Sequence, residues 1–120
     1  MGAATYPVLS PAGWVAYAAM VKIAENEFVG ETQGAGISVV LVNSQPGRGP
    51  SLHRHPYEEV FILQEGSVTF TRGDATVEAG AGEVVVVPPR TPHGFVNSGS
   101  VPLRMVAIHH SPKFITEWLD

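Results

Sequence analysis

Short apolar runs broken by glycine, proline and asparagine set the rhythm of this chain. Residues 37–42 (ISVVLV) are apolar and β-branched and predict a strand. A turn-rich loop follows at 43–50 (NSQPGRGP), then a short strand at 52–55 closed by Pro56. Residues 59–63 (EVFIL) and 68–71 predict two strands of a hairpin around Gln64-Glu65-Gly66. Arg72-Gly73-Asp74 makes a second turn into a strand at 75–78. Residues 84–87 (VVVV) predict a buried strand stopped by Pro88-Pro89, and strands at 94–97 and 103–109 complete the series. Short strands at close spacing with turn signals between them are the pattern of a β-sandwich or small barrel.

The ends of the chain are less regular. In the arm formed by residues 1–30, Ser10-Pro11 can cap a helix over residues 12–20, with proline in its first turn. The same residues also read as an edge strand ending at Ile23. In the tail, residues 113–120, Phe114 and Trp118 stand four apart, so one helical turn would put both on one face.

Composition narrows the class. Hydrophobic residues make up 44% and charged residues 15% of 120 residues, which suits one folded domain over residues 1–120 rather than disorder. With no cysteine there is no disulfide framework, thiolate metal site or cysteine nucleophile. Residues 1–10 lack the basic-then-apolar pattern of a secretory signal, and the apolar stretch 12–24 is short of the ~20 residues of a membrane span. A cytoplasmic protein with no membrane partner is the expectation. The net charge is −4 and the seven basic residues are dispersed, which argues against nucleic-acid binding.

Candidate chemistry concentrates in His53, His55, Glu59 and His93. Residues i and i+2 of a strand share a face, so His53 and His55 can reach a common point. Pro56 and Tyr57 turn the chain, and Glu59 opens a neighbouring strand about 4.8 Å away. His93 arrives from a third strand. Imidazole and carboxylate donors suit one divalent transition metal: Fe, Mn, Ni, Cu or Zn. The reading without a metal is two polar histidines on a wet strand face.

The spacing Gly47-x5-His53-x-His55-x3-Glu59-x6-Gly66, followed by Gly82-x5-Pro88-x4-His93-x3-Asn97, resembles the two motifs of the cupin superfamily. Arg90 stands where the second motif has a glycine. The resemblance runs from about Val39 to Ile108, within a motif core of about 37–109. It implies an all-β, jelly-roll cupin barrel (a double-stranded β-helix), often dimeric, with the metal inside. It carries over His53, His55, Glu59 and His93 as ligands, the glycines and Pro88 as turn residues, and Asn97 as a structural hydrogen-bonding residue.

Other residues have weaker readings. Arg90, in a loop near the barrel mouth, either pairs with a substrate carboxylate or is a surface arginine beside a turn. Tyr57 either donates a proton or packs under the turn. Glu58 and Arg54 face away from the site by alternation. His109 and His110, adjacent on a strand, cannot share one ion and read as an ordinary strand end. Phe61, Leu63, Phe70, Phe95 and Met105 line the cavity or pack as core.

Four ligands leave about two open positions on a six-coordinate ion. The first expectation is a mononuclear dioxygenase-like oxidoreductase acting on a small enol, diketone or aromatic diol, with Glu59 as ligand and proton acceptor. The second is a metal-dependent isomerase or lyase of sugar or keto-acid type, with Arg90 as anchor. The third is a non-catalytic module that binds or senses a small molecule. A homodimer is expected in each case.

Overall fold

The structure is a computed structural model that describes residues 22–120 in full and the backbone of residues 4–9 and 15–20. The expected helix cap at Ser10-Pro11 and the first residues after it lie outside the described residues. Of the two N-terminal alternatives the strand is what the backbone adopts. Val15–Met20 (β2) pairs antiparallel with Ala4–Leu9 (β1) in a separate two-stranded sheet.

The remaining strands are β3 (Glu27–Phe28), β4 (Ser38–Ser44), β5 (His53–Arg54), β6 (Glu59–Glu65), β7 (Ser67–Arg72), β8 (Ala75–Gly80), β9 (Val84–Val87), β10 (His93–Asn97), β11 (Leu103–His109) and β12 (Glu117–Trp118). They form two five-stranded antiparallel sheets, ordered β12-β5-β10-β7-β8 and β3-β4-β11-β6-β9. Among the described residues the only helical element is a 3-10 turn at Gly30–Gln33. None is long and apolar enough to cross a membrane.

Alternation decides what is inside. Along β6, Glu59, Phe61 and Leu63 are buried while Ile62 and Gln64 are exposed. Along β11, Leu103, Met105, Ala107 and His109 are buried. With Val85 and Val87 from neighbouring β9 and Val68 and Phe70 from β7 of the other sheet, the apolar members form one core. Phe61, Phe70 and Phe95 pack with ring centroids 4.8–5.7 Å apart. Each large apolar side chain so buried contributes about 1.5–3 kcal/mol.

The turns keep this register. Gly66, between β6 and β7, has φ 90°, and a Cβ there would lie 2.9 Å from the Pro102 carbonyl oxygen. Gly49 brings the loop at 45–50 so close to β10 that a Cβ would meet the Phe95 carbonyl oxygen at 1.9 Å. Asn97 fastens the same end of β10. Its Nδ2 donates to the carbonyls of Ser44 (2.9 Å) and Val101 (2.8 Å), and its Oδ1 accepts from the Gly99 N–H (2.9 Å). It is the structural hydrogen-bonding residue that the motif implied.

The expected helical turn in the tail is a correction. Residues 117–118 form a strand, because Glu117 pairs with Arg54 and Trp118 with His53 along the free edge of β5. A sheet edge supplies backbone partners that an isolated helical turn lacks. The short strand β3 and the 3-10 turn went unpredicted.

Candidate metal centre

Three strand beginnings and one turn build the site. His53 opens β5 and pairs with His93, which opens β10. Glu59 opens β6 and pairs with His109, which ends β11. His55 follows β5 directly, before the Pro56 turn. The ligand atoms of His53, His55, Glu59 and His93 all lie within 4.8 Å of one another, and all four residues are buried. The group that spacing picked out is therefore assembled, and it is able to hold a metal ion.

The donor atoms are pre-aimed. Each of the three imidazoles donates from Nδ1 to a backbone carbonyl: His53 to Ser51 (2.7 Å), His55 to Ile115 (2.7 Å) and His93 to Thr91 (2.9 Å). Such contacts fix ring orientation and tautomer and leave Nε2 as the inward lone pair. Nε2 of His93 lies 3.0 Å, and that of His55 3.1 Å, from Glu59 Oε1. The His55 contact is close but misaligned for a hydrogen bond, so this buried nitrogen has no partner. A buried imidazole nitrogen without a partner, facing a carboxylate oxygen that His93 Nε2 already meets at hydrogen-bond distance, calls for a cation at this point. The donor set fits a divalent transition metal.

Electrostatics favour the ligating forms of Glu59 and His53, whereas at His55 burial is outweighed by the Glu59 carboxylate and the Ile115 carbonyl, which raise the pKa. Burial opposes the charge on Glu59, but the imidazoles of His109, His55 and His93 outweigh it and hold its carboxyl well below the usual carboxylate range. Burial also pushes His53 below its ordinary value, against the raising effect of the Ser51 carbonyl. A ligand carboxylate kept ionised and an imidazole kept deprotonated are the forms that bind metal.

His109 requires a correction. It is not an ordinary strand end, because its Nε2 lies 2.9 Å from Glu59 Oε2, inside the barrel. Its neighbour His110 faces out and meets Glu58 Oε1 at 3.2 Å. Strand alternation carried the signal, since His109 is in phase with Leu103, Met105 and Ala107. Tyr57 stacks on His55 at 5.1 Å and 6° and reaches His109 Nδ1 with its hydroxyl at 2.7 Å. Burial raises its pKa. Arg54 faces away and pairs with Glu117 at 2.6 Å.

A cavity of about 400 Å³ opens on the donors. Its walls are mainly apolar, with Val40, Val42, Phe61, Phe95, Ala107 and Phe114 among them. Trp118 lies over His53, ring centroids 4.9 Å apart. Among the described residues no lysine or arginine lines this cavity. Arg90 is exposed and lines a second groove with Arg54 and Glu117, which shares His55 and Thr116 with this cavity. Leu63, Phe70 and Met105 belong to the core rather than the cavity wall.

A family model described as the cupin domain matches residues 40–109. An uncharacterized protein of Methanocaldococcus jannaschii is 31% identical over 88 residues, 72% of this chain and 67% of that one. A conserved protein with a double-stranded β-helix domain from Klebsiella pneumoniae superposes with a TM-score of 0.66 at 22% identity, over 71% of this chain and 76% of that one. A mutant of Bacillus subtilis oxalate decarboxylase superposes with a TM-score of 0.65 at 28% identity, over 70% of this chain but 24% of the enzyme.

Proposed function

This chain belongs to the cupin family, and on that premise we propose that it is a metal-dependent, dioxygenase-like oxidoreductase acting on a small enol, diketone or aromatic diol. The observation that carries this reading is the cavity: about 400 Å³, apolar-walled, and without a lining lysine or arginine among the described residues. An uncharged or singly ionised chelator with an apolar body suits such walls. A doubly charged acid such as oxalate would find no cationic side chain there beyond the metal itself to offset its lost hydration.

A bound divalent ion would polarise an oxygen-bearing ligand and, if it were iron, give access to dioxygen chemistry. The chain's own residues do the rest. Phe61, Phe95 and Phe114 hold the apolar body and exclude water, while His53, His55 and Glu59 line the cavity and His93 completes the donor cluster beside them. Glu59 serves as a ligand, its carboxylate held in the charged form by the surrounding imidazoles.

Arg90 as an anchor would have favoured the lyase and isomerase readings, but it does not line the cavity. The test is oxygen consumption by iron-loaded protein against a panel of diketones and catechols, with His93→Ala beside it. Uptake tied to product formation, absent in the variant, is expected. No product-linked uptake across the panel sinks the reading and moves it to a small-molecule binding module. Exposed Ile62, Val84 and Val86 on adjoining strands β6 and β9 support a second copy of this chain as partner. A solution mass near 12.8 kDa would contradict that dimer.

A further inference from the structure

We infer that His109 and Tyr57 are positioning residues that occupy the second oxygen of Glu59 and so restrict it to one-oxygen ligation. The inference rests on the metal reading above and adds to it a pair of residues that are not among the defined positions of either cupin motif. Glu59 Oε1 faces His55 and His93, whereas Oε2 faces His109 Nε2 at 2.9 Å. The two oxygens therefore have different partners.

The hydrogen bonds have one consistent direction. The Ile115 N–H donates to the Tyr57 oxygen (3.2 Å), and the Tyr57 O–H donates to His109 Nδ1 (2.7 Å). With Nδ1 taken as the acceptor, the proton of His109 lies on Nε2, which faces Glu59 Oε2 at 2.9 Å. This makes His109 the opposite tautomer to His53, His55 and His93, which carry their proton on Nδ1. A metal ligand needs its inward nitrogen bare, while His109 uses its inward nitrogen as a donor. Phe114, edge-on to His109 at 4.8 Å and 88°, packs against the ring. Ile115 touches both halves of the arrangement: its N–H meets Tyr57 and its carbonyl meets His55. Seating of the C-terminal segment thereby orients one ligand directly and a second through the relay.

The experiment has two readouts. The first is nitrogen-15 NMR of the histidine rings in the metal-free full chain. It is expected to show Nε2–H for His109 and Nδ1–H for His53, His55 and His93. An Nδ1–H His109 overturns the inference whether or not metal binds. The second is titration with Co(II), following visible absorption. His109→Ala is expected to keep one ion per chain, weaken it about 10–100-fold and change the spectrum. Tyr57→Phe, which removes only the hydroxyl, should shift both in the same direction by less. Unchanged affinity and spectrum in His109→Ala would refute the positioning role. Loss of stoichiometric binding equal to that of His93→Ala would also refute it, by making His109 a ligand. If wild type binds no Co(II), the metal reading fails. The tautomers alone then decide whether the relay exists.

Discussion

The two ends of the barrel interior are built on the same strands and differ in what the inward positions carry. On β6 the stripe runs Glu59, Phe61, Leu63; on β11, in pairing order, it runs His109, Ala107, Met105. One end is closed by Leu63, Val68, Phe70, Leu103 and Met105, each 1% exposed or less. The other ends in imidazoles and a carboxylate below a cavity, with Ala107 opposite Phe61 where a larger residue would close the gap. Strand geometry buries the inward positions at both ends. Side-chain chemistry makes one a source of stability and the other a binding site, where buried polar atoms are justified only by what they hold.

The closed end gives the largest expected effect. Phe70→Ala removes a fully buried ring that packs on Phe61 and Phe95. It should lower stability by about 3–5 kcal/mol, read as a fall in urea midpoint. A loss below about 1 kcal/mol would mean that this end is not close-packed.

At the open end, stability should depend on metal instead. Mn(II) or Co(II) at a hundred times its dissociation constant should stabilise wild type by about 2.7 kcal/mol and leave His93→Ala unmoved. Thermal unfolding with and without the ion makes the comparison. Equal stabilisation of both proteins would place the ion elsewhere. Between the two ends, Ala107→Leu puts bulk into the cavity from β11. Metal stoichiometry should survive and stability should fall by no more than the roughly 1–3 kcal/mol of an overpacked site, while uptake of a small diketone is lost. Retained uptake would show that the ligand binds in another place.

Most of the open end was legible in the sequence because its determinants are local. His53 and His55 need only strand alternation, and Glu59 needs only the turn at Pro56. The two linked motifs supplied His93. His109 escaped because the question put to it was whether it could share an ion with His110. Its phase with Leu103, Met105 and Ala107 already placed it inside. The C-terminal strand escaped for a different reason. Phe114 and Trp118 have helical spacing, but the free edge of β5 captures the backbone, and no local pattern announces a vacant edge. The 3-10 turn at Gly30–Gln33 depends on equally non-local contacts. A Cβ on Gly30 would lie 2.0 Å from the Ile37 carbonyl oxygen, and the Glu31 N–H bonds to the Pro112 carbonyl.

Arg90 offers the smallest and sharpest test of how the open end differs. It has φ 60° and sits third in the turn Pro88-Pro89-Arg90-Thr91, which the Thr91 N–H closes onto the Pro88 carbonyl at 3.3 Å. Positive φ at that position, with proline before it, is what a type II turn requires and what glycine supplies without strain. The cupin motif has glycine here, and this chain keeps the glycine conformation with an arginine. Its backbone N–H donates to the His55 carbonyl at 2.7 Å, so the turn is held against a candidate ligand and cannot relax. The left-handed conformation costs about 1–2 kcal/mol for a side-chain-bearing residue, against about 0.5–1 kcal/mol for the extra unfolded-state freedom of glycine. Arg90→Gly should therefore stabilise the metal-free protein by about 0.5–1 kcal/mol, whereas Arg90→Ala, which keeps the strain and removes the guanidinium, should leave it unchanged. Parallel denaturant titrations of the two variants separate backbone from side chain. If alanine destabilises and glycine gives no gain, the guanidinium itself holds the turn, and the strain at the open end is offset by a contact rather than carried by the closed end.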